Sequence, residues 1–202
     1  MSSVDPWRDA LLPHAATMLD IAGGSIRNGL VEGRALDVAA NGFDPLLRAP
    51  GACFVSLHML DDSLRGCIGS VTAARPLIED IARNAHLAAF EDPRFPPLPA
   101  EAYPRLKIEI SILSPTEPLT FADEAGLQDA LVPGRDGLVL QQGALRGLFL
   151  PQVWEALPEP ADFMDHLKEK AGLPSGPLAS GVQALRFTVI SFASPTASIG
   201  GL

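Results

Sequence analysis

The strict alternation of apolar and polar residues in the segment LKIEISIL, Leu106 to Leu113, is the feature that most constrains the fold. Successive side chains of a β-strand point to opposite faces, so this segment predicts a strand with one apolar face and one polar face. A strand of this kind belongs to a sheet whose apolar face is covered by other elements.

Two β-hairpins are predicted around this strand. CFVSLHML, Cys53 to Leu60, and LRGCIGSV, Leu64 to Val71, are separated only by a short polar turn, so the two segments should pair antiparallel. The segment DGLVLQQGALRGLFLP predicts a second hairpin about its Gln-Gln-Gly turn. LRFTVISF, near the end of the chain, predicts one closing strand.

Helices are predicted where apolar residues recur every three or four positions. One should run from Trp7 to Ala22 and stop at Gly23-Gly24, and another should run from Pro76 to Glu91. The second should bury Ile78, Ile81 and Ala85 and leave Glu79 and Arg83 in water. Further helices are predicted around Glu124 to Leu131 and in ADFMDHLKEKAGLP, the latter ending at Gly172.

The order of these segments predicts an α+β fold in which antiparallel β-sheet is flanked by helices. Hairpins and helices are mixed without the regular β-α alternation that a parallel sheet requires. The 202 residues suffice for one sizeable core or for two small subdomains.

Charge and composition exclude several classes of partner. Fifteen basic and 24 acidic residues give a net charge of −9, so no general basic field exists to bind nucleic acid. No apolar run reaches the roughly 18 residues of a membrane span. Two cysteines and the lack of a signal-peptide pattern favour the cytoplasm.

The two cysteines are predicted to be reduced. A hairpin turn centred near Asp62 would place Cys53 opposite Val71, about 13 Å along the strand from Cys67. This separation is far beyond the reach of a disulfide.

Cys67 is the first candidate for chemistry. On a strand it shares one face with Arg65, and a neighbouring cation favours the thiolate. Gly66 and Gly69 would allow a substrate to come close. The alternative is that Cys67 is a small buried residue and that the glycines serve packing.

A second candidate cluster consists of Asn84, Asp92 and Arg94, with Glu109 on the polar face of its strand. Arg94 lies between Pro93 and Pro96, in a stiff segment that could return it to Arg65 and Cys67 and there form a cleft with a partly accessible thiol. Its guanidinium suits a bidentate contact with a carboxylate or phosphate. The alternative is an internal salt bridge from Arg94 to Asp92 or Glu109.

Neither a metal nor a nucleotide cofactor is expected. The four histidines show no ligand spacing with each other or with the cysteines. A glycine-rich phosphate loop is also lacking, because AGGSIRNG has the wrong spacing and follows a helix.

Several motifs in a fixed order resemble the AMMECR domain family, whose prokaryotic members are also called AmmeMemoRadiSam system protein A. The motifs are LRGCIG, NAHLAAFEDPRFPPL, IEISILSPTEPL, DGLVL, LPQVWE and KAGLP. The similarity extends from about Leu12 to Phe192. One departure is SGPLAS after KAGLP, where family members commonly carry a tryptophan.

The resemblance implies one domain over residues 1–202, built from two intertwined subdomains around a cleft beside the Arg-Gly-Cys-Ile-Gly motif. It also implies two partners, a Memo-type protein related to non-haem iron dioxygenases and a radical-SAM protein. We therefore expect a component of that system, either a thiol-dependent enzyme acting at Cys67 or a non-catalytic interaction module in which Cys67 is structural.

Overall fold

A computed structural model describes residues 6–196, and the chain divides into two compact units. The first unit runs to Leu113 and resumes at Ile190, and the second is Ser114–Val189. Both contain helices and antiparallel strands, which confirms the predicted α+β class. Among the described residues, no helix combines the length and the apolar character that crossing a membrane would require.

The first unit contains helices α1 to α4, strands β1 to β4 and strand β9. The helices are α1 Pro6–Leu11, α2 Ala15–Glu32, α3 Pro45–Arg48 and α4 Leu77–Phe90. The strands are β1 Pro50–Met59, β2 Leu64–Gly69, β3 Arg75–Pro76, β4 Leu106–Leu113 and β9 Val189–Pro195. Short 3-10 turns lie at Leu12–His14, Ala40–Gly42 and Ala100–Arg105.

One sheet organises this unit, with strands in the order β2-β1-β4-β9 and β3 paired to the start of β1. Helices α2 and α4 pack against each other and against one face of the sheet. Val55, Leu57, Ile108 and Ile110 are fully buried there, as the alternation in LKIEISIL predicts for β4. The opposite face, called the polar face below, is defined by Ser56, Cys67, Glu109, Ser111 and Ser191.

The predicted hairpin and the predicted helix phase of α4 are both confirmed. Strands β1 and β2 pair antiparallel, and Pro76 precedes the first residue of α4. Ile78, Ile81 and Ala85 are fully buried, whereas Arg83 is exposed and Glu79 is partly exposed.

The register of the hairpin differs by one residue from the prediction. Ser56 lies opposite Cys67, and the carbonyl of Cys53 accepts a hydrogen bond from the backbone N–H of Ser70, not of Val71. Both cysteines are free, as predicted. The turn is centred on Asp61, where the N–H of Met59 donates to the carbonyl of Ser63, and the irregularity between Leu57 and His58 reduces the resulting offset from two residues to one.

The predicted end of the first long helix at Gly23-Gly24 is wrong. Helix α2 continues to Glu32 and ends at Gly33, whose φ of 70° is left-handed. The helix packs closely on α4 beyond the Gly23-Gly24 pair: a Cβ at Gly29 would lie 2.3 Å from the Phe90 ring. Tertiary packing here overrides the low helix propensity of glycine.

The prediction of one closing strand in LRFTVISF is also wrong. The segment is divided between β8, Gln183–Phe187, and β9, which belong to different sheets. Thr188 lies between them, and its carbonyl accepts a hydrogen bond of 2.9 Å from the N–H of Ser114. The apolar pattern of LRFTVISF does not indicate where the chain passes from one sheet to the other.

The second unit contains a sheet with strands in the order β5-β8-β6-β7, on which helix α6 packs. Its further elements are β5 Glu117–Leu119, α5 Glu124–Asp129, β6 Gly137–Gln142, β7 Leu145–Phe149, a 3-10 turn at Pro151–Glu155 and α6 Pro160–Ala171. The β6-β7 hairpin, α5 and the end of α6 at Gly172 agree with the prediction. In the core, Trp154 stacks on Phe163 with ring centroids 3.8 Å apart.

We predict opposite effects of two alanine substitutions in α2. Gly29→Ala should lower the free energy of unfolding by about 1–3 kcal/mol, because the new methyl group collides with Phe90 and His86. Gly24→Ala should raise it by up to about 1 kcal/mol, because its methyl group meets only ordinary contacts and alanine favours the helix. Denaturant unfolding of both variants measures this, and equal effects would contradict the α2-α4 packing described here.

Candidate functional site

The backbone of Cys67 is held on the free edge of the sheet by two side chains. Strand β2 is an edge strand, so its outward backbone groups have no neighbouring strand to pair with. The N–H of Cys67 donates to Asp92 Oδ2 at 2.8 Å, and Arg94 Nη2 donates to the Cys67 carbonyl at 3.1 Å. Both backbone polar groups of Cys67 are thereby satisfied by the segment that follows α4.

Asp92 and Arg94 form a bidentate ion pair. Arg94 Nε lies 3.0 Å from Asp92 Oδ1, and Nη2 lies 2.7 Å from Oδ2. The Asp92 side chain is 1% exposed, whereas that of Arg94 is 55% exposed. The hydrogen bonds from Arg94, followed by those from backbone N–H groups, hold the pKa of Asp92 well below its usual range. The internal salt bridge considered for Arg94 is therefore present, with Asp92 and not Glu109.

The thiol of Cys67 lies on the polar face and is partly exposed. Ser56 Oγ donates a hydrogen bond to it at 3.1 Å. Ser56 also lies opposite Glu109 on β4, so a thiol, a hydroxyl and a carboxylate occupy consecutive strands of one face. The Arg94 guanidinium also lies beside Cys67, since its Nη2 bonds to the Cys67 carbonyl. Hydrogen bonding to Asp92 is the largest cause of the raised pKa of Arg94.

Cys53 provides a contrast within the same hairpin. Its side chain is fully buried among the apolar residues that face the helices. Burial raises the pKa of the Cys53 thiol, and the nearby Asp80 carboxylate raises it further. Of the two cysteines, Cys67 is the one whose surroundings suit chemistry with an external molecule.

The two glycines of the motif are explained by packing inside the protein. A Cβ at Gly66 would lie 2.1 Å from the backbone oxygen of Ala88 in α4, and a Cβ at Gly69 would lie 2.2 Å from the Phe54 ring. Any side chain at either position would force these neighbours apart. The close approach predicted for a substrate is thus taken by the helix at Gly66 and by an aromatic ring at Gly69.

Arg65 joins the motif to the proline-rich segment. Its Nη2 donates to the carbonyl of Pro96 at 2.7 Å, and its guanidinium lies 5.7 Å from the centre of the Phe95 ring. The Arg94 guanidinium lies 5.6 Å from the same ring. These contacts show that the proline-rich segment after α4 returns to Arg65 and Cys67. Arg65 Nη1 is buried and has no hydrogen-bond partner in the part of the chain that the structure describes.

Asn84 does not join Asp92 and Arg94, contrary to the grouping inferred from the sequence. Its Nδ2 donates to the Cys53 carbonyl at 3.0 Å, to Asp80 Oδ2 at 3.0 Å and to Ser70 Oγ at 3.2 Å. Asn84 is 1% exposed, so this network ties the hairpin to α4. The grouping failed because the helix phase shows that Asn84 can reach the sheet but not which residues it meets there.

Sequence reasoning missed two residues of these networks. Asp80 is 1% exposed, accepts hydrogen bonds from the Cys53 N–H at 3.2 Å and from Ser70 Oγ at 2.9 Å, and pairs with Arg75 at 3.0 Å. Its spacing of four from Asn84 was a usable signal, because both residues directly precede a buried residue of α4. Ser56 gave no such signal, since an isolated serine in a strand is ordinary.

No group of three or more histidine, cysteine or acidic side chains within residues 6–196 could hold a metal ion. The second unit has a cavity of about 360 Å³ lined by residues 119–123 and 178–182. Its one charged lining residue, Asp123, caps α5 by accepting from the N–H of Gly126, so that carboxylate already has a structural partner.

A family model described as AMMECR1 matches residues 19–192. The chain belongs to the AMMECR1 family. Protein MJ0810 of Methanocaldococcus jannaschii is 41% identical over 142 residues, 67% of this chain and 69% of its own. A Thermotoga maritima protein is 34% identical over 165 residues, 81% of this chain and 90% of its own.

The crystal structure of the Pyrococcus horikoshii protein PH0010 is similar to the described fold. Its TM-score is 0.76 at 29% sequence identity, over 93% of this chain and 96% of that one. The family resemblance found in the sequence motifs is therefore confirmed, together with the α+β fold of an AMMECR1 protein.

We predict that Asp92→Asn lowers the free energy of unfolding at pH 7 by about 2 kcal/mol, because charge-assisted hydrogen bonds to Arg94 and Cys67 are weakened. Asp62→Asn is the matched control, since Asp62 is an exposed carboxylate paired with Lys107. This control should leave Tm nearly unchanged.

The effect of Asp92→Asn should also depend on pH. Because folding lowers the pKa of Asp92, its stabilisation is complete above the unfolded value of 3.8 and is lost as the pH falls below that value. The stability difference between wild type and Asp92→Asn should therefore be smaller at pH 3 than at pH 7. If the stability difference is the same at both pH values, the charge of Asp92 is not what stabilises the edge strand β2.

Proposed function

We propose that this AMMECR1 protein is a thiol-dependent component of a Memo and radical-SAM associated system, with Cys67 as the group that meets the substrate. A partly exposed thiol is held beside a hydroxyl and a cation, which is the setting that favours a reactive cysteine.

The observation that carries this proposal is that Cys67 is only half-buried on the polar face, while its neighbours in the Arg-Gly-Cys-Ile-Gly motif serve the fold. Gly66 and Gly69 admit α4 and Phe54, Ile68 packs against the core, and Arg65 binds the Pro96 carbonyl. Asp92 and Arg94 bond to the backbone of Cys67 and not to its side chain. The side chain itself accepts a hydrogen bond from Ser56 on the neighbouring strand.

Arg65 and Arg94 provide the second element of the proposed site. Arg65 has a buried guanidinium nitrogen without a partner among the described residues, and Arg94 is more than half exposed. Two guanidinium groups lie beside one ring and Asp92 pairs with Arg94, so the remaining positive charge favours an anionic group on the substrate. We therefore propose that the substrate carries a carboxylate or a phosphate.

The partners implied by the resemblance of the sequence motifs are part of the same proposal. We propose a Memo-type protein and a radical-SAM protein as companions, and the cytoplasm as the compartment, since a reactive thiol needs reducing surroundings. Co-purification of the chain from its source should recover both companions. Recovery of neither under conditions that keep the chain folded would contradict the association.

A second candidate function is that of a non-catalytic interaction module, in which the Arg-Gly-Cys-Ile-Gly motif serves only the fold. The contacts of Gly66 with Ala88 and of Gly69 with Phe54 favour it, because they show that much of the motif serves the fold. The two candidates differ in whether the Cys67 thiol is needed once the protein is folded.

Alkylation of the native protein tests the proposal. The Cys67 thiolate should displace iodide from iodoacetamide and form a thioether while the protein is folded, because Cys67 is only partly buried. Cys53 should remain unmodified, because it is fully buried. Mass spectrometry of the digested protein locates the label, and Cys67→Ala is the control that should abolish it.

Arg65→Ala should raise the pH at which Cys67 is alkylated, because it removes a neighbouring cation. Thermal unfolding of this variant checks that the edge remains folded without the bond to Pro96. If native Cys67 resists iodoacetamide while both cysteines react in urea, the thiol is structural and the interaction module is the better account.

A further inference from the structure

We infer that Ser56 is a positioning residue for the Cys67 thiol, with its hydroxyl donating a hydrogen bond to the sulfur from the neighbouring strand. This inference rests on the proposed function of Cys67. It adds a residue that no motif contains and that acts through the cysteine, not on the substrate directly.

The position of Ser56 is fixed by the sheet. It lies on β1, which has β2 on one side and β4 on the other, and its backbone neighbours Val55 and Leu57 are fully buried. The register places Ser56 directly opposite Cys67. Directly opposite residues of antiparallel strands have their Cβ atoms about 5 Å apart, which brings short side chains into contact.

The hydrogen bond has a direction that matters chemically. Ser56 Oγ donates to Cys67 Sγ at 3.1 Å, and a hydroxyl has only one proton to donate. A donor that points at sulfur favours the charged thiolate over the neutral thiol. The hydroxyl therefore works in the same direction as the neighbouring cation of Arg94.

Other charged or titratable groups also surround the thiol, and they must be separated from Ser56 in any test. They are His58 on β1, Arg65 on β2, Lys107 and Glu109 on β4, and Asp92 and Arg94 in the segment after α4. A substitution of Ser56 leaves all of them in place. A difference between the wild type and a Ser56 variant therefore reports the hydroxyl.

The variants are Ser56→Ala, Ser56→Thr and Ser56→Val, and the measurement is the rate of Cys67 alkylation by iodoacetamide from pH 5 to pH 10. Thr and Val have nearly the same shape, but only Thr keeps a hydroxyl. In Ser56→Ala and Ser56→Val the pH midpoint of the rate should rise by about one unit. Ser56→Thr should keep the wild-type midpoint.

The rate at low pH should fall by about threefold in Ser56→Ala and Ser56→Val. A tenfold smaller thiolate fraction is partly offset, because a more basic thiolate is a better nucleophile. Thermal unfolding is measured in parallel. A lower Tm with an unchanged pH midpoint would show a merely structural serine and would overturn the inference.

The outcomes separate this inference from the proposed function. If wild-type Cys67 is alkylated but all three variants share its midpoint, the role of Ser56 is refuted and the proposed thiol site stands. If wild-type Cys67 is not alkylated in the folded protein, the proposed function fails and the inference fails with it.

Discussion

The hydrogen bonds between the Cys67 backbone and the Asp92–Arg94 ion pair are the contacts on which the candidate site depends. An edge strand needs partners for its outward N–H and C=O groups, and here a buried carboxylate and a guanidinium provide them. The same contacts fix the segment after α4 against β2 and bring Phe95 and Arg65 together. The same side chains thus protect the free edge of the sheet at β2 and build the candidate site.

The two cysteines show how a strand's period separates structural from chemical roles. Cys53 faces the helices, where burial raises its pKa, whereas Cys67 faces the other way and meets Ser56. A change of register by one residue would exchange the faces of every side chain on β2. The close contacts at Gly66 and Gly69 fix that register, because a side chain at either position would collide with Ala88 or Phe54.

The sequence was sufficient for elements whose pattern is local, such as β4, the β1-β2 hairpin and the buried face of α4. It was insufficient where distant packing decides, as in α2, which continues past Gly23-Gly24 and packs on α4 through Gly29 and Phe90. The same limit applied to Asn84 and Ser56. Their partners, Cys53 and Cys67, lie 31 and 11 residues away along the chain. Register and helix phase set such contacts. An error of one residue in either of them places a side chain on the wrong face.

The central claim is that the Cys67 thiol is needed for function and not for folding. The most direct measurement compares the metabolites of source cells that carry Cys67→Ala in this gene with those of cells that lack the gene, at matched protein level. The account predicts that Cys67→Ala reproduces the deletion profile while the purified variant keeps its wild-type Tm. A wild-type metabolite profile with Cys67→Ala, in cells where the deletion has a clear effect, would contradict it.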